Sequence, residues 1–130
     1  MIDSAELILF VSDQHASRDF YRRVLGLEPE LDVPGMTEFR LGPGVKLGLM
    51  PNTGIARILG DALPHPDSAT GIPRCELYLR VPDLESCFER AIRAGAVIVS
   101  HAADRDWGDR VAYVADPDGH VLAFACPVSG

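Results

Sequence analysis

The sequence is poor in the residues that cross-link small proteins. Three cysteines occur among 130 residues, Cys75, Cys87 and Cys126, and no two of them form a CxxC pair. An odd number of scattered cysteines does not suit a disulfide framework, so we expect reduced thiols. The chain also lacks a run of about 18 apolar residues and a basic segment ahead of an apolar one, so we expect no membrane span, no signal peptide and a cytoplasmic location.

Positive charge is scarce as well. Lysine and arginine number 12 against 19 aspartates and glutamates, which gives a formal net charge of −7, and no basic run occurs. A nucleic-acid-binding protein needs a basic patch or stripe, so nucleic acid is excluded as a partner. Hydrophobic residues make up 47% and charged residues 24%, as in ordinary globular proteins. We therefore expect residues 1–130 to form one globular domain.

An internal repeat is the most informative feature. Residues 6–13 read ELILFVSD and residues 76–83 read ELYLRVPD, so Glu, Leu, Leu, Val and Asp recur at an offset of 70. The alternation of apolar and other residues predicts a β-strand with one buried face in each copy. A helical pattern follows each strand, at 15–26 and at 84–95. We expect the helix starts to be capped by a side chain from this set: Asp13, Asp83, Ser12 and Ser86. We expect both helices to end at glycine, Gly26 and Gly95.

Three short strand-like runs separated by turn residues follow each helix. Residues 41–49 and 115–124 match at an offset of 75, which places Gly48 on Ala123. The fold class is therefore α+β, with two tandem βαβββ modules at 1–50 and 75–130. Residues 51–74, rich in Gly, Pro and Asp, are interpreted as a linker or lid with a short helix at 55–62.

Three segments of the chain carry a resemblance to a known family: the first strand motif LILFVSD, FYRRVLGLEPE at 20–30, and WGDRVAYVADPDGHVLAF at 107–124. Through them the chain resembles the glyoxalase/bleomycin-resistance/extradiol dioxygenase (vicinal oxygen chelate) superfamily. The resemblance covers nearly the whole chain. It implies mixed sheets that curl into a cup, in which a ligand or metal is held between the modules. It also implies a homodimer.

In that superfamily four positions typically face the cup, and here the corresponding residues are Glu6, Glu76, Gly48 and Ala123. Metal-dependent members usually place His, Glu or Gln at these positions. Zn²⁺, Ni²⁺ and Fe²⁺ are commonly held by imidazole as well as carboxylate, and two carboxylates do not make four donors. We therefore predict no metal cofactor. The alternative is a hard divalent ion such as Mg²⁺, which keeps several waters, between Glu6 and Glu76. The histidines are expected at the surface: His15, His65, His101 and His120.

Two carboxylates in one cup repel each other, so Glu6 or Glu76 should have a raised pKa or a cationic partner. Either one is a candidate for a catalytic general base or for a carboxylate that binds a basic ligand. The open alternative is purely structural, with each carboxylate paired to an internal arginine, one of Arg40, Arg74 and Arg110. Gly48 and Ala123 would widen the cup for an organic ligand.

Trp107, the only tryptophan, lies in a polar loop shortly before Arg110. It resembles the aromatic residue on which metal-free, antibiotic-binding members stack a flat ligand. We count Trp107 and Arg110 as candidate ligand-binding residues, with core or rim packing of Trp107 as the alternative.

The sequence therefore favours a metal-free small-molecule-binding protein similar to bleomycin-resistance proteins. The alternative is a glyoxalase-like lyase or isomerase, related to lactoylglutathione lyase, that uses a divalent metal. A ring-cleaving dioxygenase is disfavoured, because its Fe²⁺ needs two histidines and a carboxylate. A structural or interaction role stays open.

Overall fold

A computed structural model of the chain describes residues 1–129. The chain divides into two compact units. The first comprises residues 1–22 and 26–70, and the second comprises residues 23–25 and the chain from residue 71 onward. Within the described residues, no helix combines the length and the apolar character needed to cross a bilayer.

The first unit contains a four-stranded mixed sheet. Its elements in chain order are β1 (Ala5–Val11), α1 (Gln14–Leu25), β2 (Leu31–Val33), β3 (Met36–Gly42), β4 (Val45–Pro51) and α2 (Asn52–Leu59). The strand order is β1-β4-β3-β2, with β1 parallel to β4 and the other pairs antiparallel. This is the βαβββ arrangement that the repeat predicts, followed by a further helix.

The second unit repeats the arrangement. Its elements are β5 (Glu76–Arg80), α3 (Leu84–Arg93), β6 (Val97–Asp104), β7 (Asp109–Ala115) and β8 (Val121–Pro127). The strand order is β5-β8-β7-β6, again with the first strand parallel to the last. The α+β fold class and the two mixed, curled sheets are thus confirmed.

The helix ends follow the local sequence closely. Asp13 and Asp83 are the N-caps, accepting hydrogen bonds from the backbone N–H groups of Ala16 at 3.0 Å and Ser86 at 3.1 Å. Gly26 ends α1 in the left-handed conformation, with φ of 66°. Of the four candidate caps, the two aspartates are therefore confirmed for this role.

The helix expected at 55–62 begins earlier, at Asn52 directly after β4, and ends at Leu59. Asn52 is buried and donates a hydrogen bond to Asp67 Oδ1 at 2.7 Å, in the 3-10 turn Pro66–Ala69. Gly60, with φ of 55°, has left-handed backbone that stops the helix. The segment between the modules is thus anchored by a tertiary hydrogen bond that sequence periodicity does not show.

Each sheet has one face covered by a helix. In the first unit Leu9 and Val11 on β1, Leu47 and Leu49 on β4, and Thr37 and Phe39 on β3 are buried on one face of the sheet. The first residue of α1 lies against this face, since Gln14 donates a hydrogen bond to Thr37 Oγ1 at 2.9 Å. Burial of each large apolar side chain stabilises the fold by about 1.5–3 kcal/mol. The even-numbered residues of β1, β3 and β4 lie on the opposite face, which we call the first open face.

In the second unit, α3 packs against β7 and β8 through its buried side chains. The opposite face of that sheet, the second open face, carries a hydrophobic cluster: Val111, Ala123 and Ala125, with Tyr78 and Tyr113 packed against them.

Candidate functional site

Glu6 belongs to a pair of carboxyl groups on the first open face. Strand register places Glu6 next to Lys46, and Glu38 next to Gly48. The carboxyl groups of Glu6 and Glu38 are joined by a hydrogen bond. Lys46 Nζ lies 3.4 Å from Glu38 Oε1. A hydrogen bond between two carboxyl groups requires a proton on one of them, so this contact depends on pH.

Below about pH 7 Glu6 is the group that carries this proton. The hydrogen bond to Glu38, followed by burial and by the negative charge of Glu38, raises the pKa of Glu6 from 4.5 to about 7, against the opposing charge of Lys46. Accepting the same hydrogen bond is the largest cause that lowers the pKa of Glu38, and Lys46 and Arg40 lower it further. Glu6 therefore donates and Glu38 accepts.

The absence of a side chain at Gly48 gives the Glu6 carboxyl group its room. A Cβ atom at this position would lie 3.2 Å from Glu6 Oε2 and 3.0 Å from Ile8 Cγ1. Both distances are tighter than ordinary van der Waals contact. The glycine at position 48 thus leaves space for the carboxyl group of Glu6, which lies over the backbone of β4.

Further charges surround the acid pair. Glu30, which precedes β2, lies 3.0 Å from Arg40 Nε and 4.0 Å from Lys46 Nζ.

A cleft of about 450 Å³ opens beside Glu6. We call it the acid-pair cleft, and it is lined by Ser4, Ala5, Glu6, Arg40, Gly44 and Lys46. A concave surface with convergent polar groups and a perturbed carboxyl group is a typical candidate binding site.

A second polar network lies on the second open face. The buried carboxylate of Asp109 accepts hydrogen bonds from the Tyr78 hydroxyl at 2.5 Å and from Arg80 at 3.1 Å. A second Arg80 nitrogen lies 2.9 Å from the other oxygen, so the ion pair is bidentate. The hydrogen bond from Tyr78 and the charge of Arg80 lower the pKa of Asp109, while burial and Asp109 raise the pKa of Tyr78.

Trp107 is joined to this network. Its indole N–H donates to the Tyr78 hydroxyl at 2.9 Å, although 58% of the residue is exposed. The exposed indole is therefore oriented by a hydrogen-bonded chain that ends at the buried Asp109.

The other candidate residues take different positions. Glu76 is exposed at the start of β5, and Ala123 is buried between Tyr78 and Tyr113 in strand register. Arg110 lies 3.5 Å from Asp104 and 3.9 Å from Glu85. Strand alternation places Arg110 opposite Val111, on the face covered by α3.

The partners of Glu6 differ from those considered in the sequence. The carboxyl group that interacts with Glu6 is Glu38, and the neighbouring cation is Lys46. Arg40 pairs with Glu30 instead, at 3.0 Å. The alternation within MTEFRLG and VKLGLMP is the sequence signal that places Glu38 and Lys46 on the face that carries Glu6.

The donor set does not fit a resident divalent metal. Throughout residues 1–129, three or more His, Cys, Asp or Glu side chains nowhere come together in a group able to hold a metal ion. Beside the acid pair stand Lys46 and Arg40, whose positive charges would repel a metal cation.

Comparison with known proteins identifies the family to which the chain is similar. Residues 2–124 match the model of the Glyoxalase/Bleomycin resistance protein/Dioxygenase superfamily. An uncharacterized protein of Mycobacterium tuberculosis, Rv0887c, is 32% identical over 123 residues, which cover 92% of this chain and 72% of that protein. The Mycobacterium bovis protein Mb0911c, also uncharacterized, is equally similar, with 80% of its length covered.

Solved structures share the fold. A glyoxalase-related enzyme from Fulvimarina pelagi is 26% identical with a TM-score of 0.78, and the match covers 93% of this chain and 85% of that one. A glyoxalase/bleomycin resistance protein/dioxygenase from Nocardioides is 25% identical with a TM-score of 0.77, covering 97% and 83%. With the repeated βαβββ unit and a family match over nearly the whole chain, this protein belongs to the glyoxalase/bleomycin resistance protein/dioxygenase superfamily.

Proposed function

We propose that this protein binds a small organic molecule without a metal cofactor and that the acid-pair cleft of the first unit forms the polar part of the site. The observation that carries the proposal is the carboxyl group of Glu6, which lies over Gly48, has a raised pKa beside Glu38 and lines a cleft of about 450 Å³. The Glu6 carboxyl group and the basic side chains of Arg40 and Lys46 in this concave surface can orient polar ligand groups, whereas the lysine and arginine do not suit a metal.

The orientation of the Trp107 indole is an argument for an aromatic ligand. A tryptophan offers a large flat surface at low entropic cost, and here the hydrogen bond to Tyr78 limits its rotation further. We propose that Trp107 offers the second open face a stacking surface for a planar organic group. The small side chain of Ala123 leaves room on the second open face.

Binding is tested by NMR with a library of small aromatic compounds, together with metal analysis of the purified protein. We expect hits that shift the backbone amides of Gly48 and Lys46 in metal-free protein, and weaker binding in Glu6→Gln and Glu38→Gln. The matched control is Glu28→Gln, which removes an exposed carboxylate 3.8 Å from Arg22. No hit at the cleft, or hits that the two cleft variants bind unchanged, would refute the proposal.

A metal-independent lyase or isomerase is the second candidate. The pKa of Glu6, raised to about 7 by its hydrogen bond to Glu38, suits a general base at neutral pH. The test is hemithioacetal isomerisation with and without added Ni²⁺, Zn²⁺ or Mg²⁺. Turnover in chelator that Glu6→Gln abolishes would favour this candidate. Stoichiometric bound metal with turnover would overturn the metal-free proposal.

We also propose a two-fold homodimer, which size-exclusion chromatography with light scattering tests directly. The expected mass is twice the chain mass of 14.1 kDa. A single species at the chain mass would contradict it.

A further inference from the structure

We propose that the second open face binds a planar organic anion, an aromatic carboxylate, whose charge is met by Arg105 and whose ring stacks on Trp107. This inference rests on the stacking surface proposed for Trp107 and adds the charge and the chemical class of the ligand. The site lies wholly within the second unit.

Arg105 lies on the second open face, directly after β6. Its guanidinium stacks over the ring of Tyr113, with Cζ 5.2 Å from the ring centroid. The terminal nitrogen Nη2 donates hydrogen bonds to neutral oxygen atoms: Ser100 Oγ at 2.8 Å, Val111 O at 3.0 Å and His101 O at 3.2 Å. A ring and three oxygen atoms therefore hold this side chain in one orientation.

The positive charge of Arg105 has no counterion among residues 1–129, whereas Arg80 on the same face forms a bidentate ion pair with Asp109. Asp104 is engaged on the opposite face of the sheet, and Asp106 is exposed in the turn. Nε of Arg105 is buried without an acceptor. Nη1, which has no acceptor in this part of the chain either, remains in reach of solvent. Because an unpaired, half-buried guanidinium is unfavourable, an anion at Nη1 would supply the missing charge.

The other charges of the second open face do not neutralise Arg105. Arg80 and Asp109 cancel each other. Glu76 is exposed on β5, and β5 and β6 are the two edges of the sheet. Since neighbouring strands are about 4.8 Å apart, the two edges are about 14 Å apart. The surface beside Arg105 therefore has an excess of one positive charge, which favours a monoanion over a neutral or cationic ligand.

Trp107 supplies the aromatic part of the site. It follows Arg105 by two residues, in a turn that is closed by a hydrogen bond from the Arg105 N–H to Asp109 O at 2.8 Å. Its exposed indole is oriented by the hydrogen bond to Tyr78. One short turn therefore carries an unpaired guanidinium and a flat apolar surface, the two groups that recognise an aromatic carboxylate.

The experiment uses three flat probes of the same shape: 2-naphthoate, which is an anion at pH 7, 2-naphthamide, which is neutral, and 2-naphthamidine, which is a cation. Trp107 is the only tryptophan, so its indole N–H gives a single NMR signal that reports on the site in the full chain. We expect naphthoate to bind at least about tenfold more tightly than either other probe, because hydrogen bonds between charged groups are stronger. Added salt should weaken naphthoate binding most.

Arg105→Gln removes the positive charge and keeps a side chain that can donate hydrogen bonds. It should weaken naphthoate binding about tenfold and leave naphthamide binding unchanged. The matched control is Arg93→Gln, which removes an exposed arginine in the last turn of α3 and should keep the preference for the anion. Trp107→Leu should weaken the binding of all three probes. If Arg105→Gln fails to fold, the comparison of the three probes on the wild-type protein still decides.

The outcomes separate this inference from the proposed function. Equal or tighter binding of naphthamide or naphthamidine at Trp107 overturns the anion site and leaves the stacking surface intact. A preference for naphthoate that persists in Arg105→Gln overturns the anion site as well. If no probe shifts the Trp107 signal, the anion site and the stacking at Trp107 are both overturned, and the library screen decides binding at the acid-pair cleft separately.

Discussion

Replacing Glu38 with glutamine should change how the stability of the protein depends on pH. In the wild-type protein, the hydrogen bond to Glu38, burial and the charge of Glu38 raise the pKa of Glu6 from 4.5 to about 7. The glutamine side chain can still form a hydrogen bond, but it carries no negative charge. The pKa of Glu6 should therefore fall toward 4.5 in the variant, because Lys46 remains nearby.

The direction of the effect follows from proton linkage. Between pH 4.5 and about 7 the folded protein keeps a proton on Glu6 that the unfolded chain has lost. The stability contributed by that proton is fully present below pH 4.5 and is lost as the pH rises through 7. The difference between the two pKa values corresponds to about 3.4 kcal/mol. Since Glu6 is partly exposed, solvent screening reduces this, and we expect about 1–2 kcal/mol.

The assay is denaturant unfolding at pH 5 and pH 8. The quantity compared is the change in unfolding free energy between the two pH values, in the wild type and in Glu38→Gln. This comparison cancels the loss of the contact between Lys46 and residue 38, which affects both pH values alike. The variant should retain about 1–2 kcal/mol more of its stability at pH 8 than the wild type does.

Glu28→Gln provides the control, because it makes the same change of charge at an exposed side chain. Its pH dependence should match that of the wild type. Equal pH dependence in the wild type and Glu38→Gln would refute the reasoning, as would direct carbon NMR titration of Glu6 with a midpoint near 4.5.

Two further predictions concern the walls of the open faces. Gly48→Ala places a Cβ 3.2 Å from Glu6 Oε2, so it should lower the unfolding free energy by about 1–2 kcal/mol and lower the midpoint of the Glu6 titration. The control is Gly42→Ala, whose Cβ meets nothing within 4 Å and which should change neither quantity. Tyr78→Phe removes a hydrogen bond from the buried carboxylate of Asp109 and the acceptor of the only tryptophan. It should lower the melting temperature by about 2–6 °C and shift the tryptophan fluorescence, and an unchanged spectrum would contradict the hydrogen-bonded chain.

The local sequence determined much of the fold. The alternation in ELILFVSD and ELYLRVPD predicts both opening strands, because side chains of a strand point alternately to its two faces. Asp13 and Asp83 cap the helices through backbone groups only three residues away, so the capping depends on neighbours in the chain. The repeat itself then implies two βαβββ units, since similar segments follow similar local rules.

The partner of Glu6 was decided by tertiary structure alone. The sequence identified Glu6 and the small residue Gly48. The pairing of Glu6 with Glu76 rested on the repeat, which relates residues by symmetry and not by contact. Glu38 and Lys46 reach Glu6 because β4 lies between β1 and β3, in a register set by the whole sheet. Strand alternation tells which face a residue occupies. Which residues of other strands lie beside it, and hence which proton, charge and hydrogen bond it shares, depends on strand order and register.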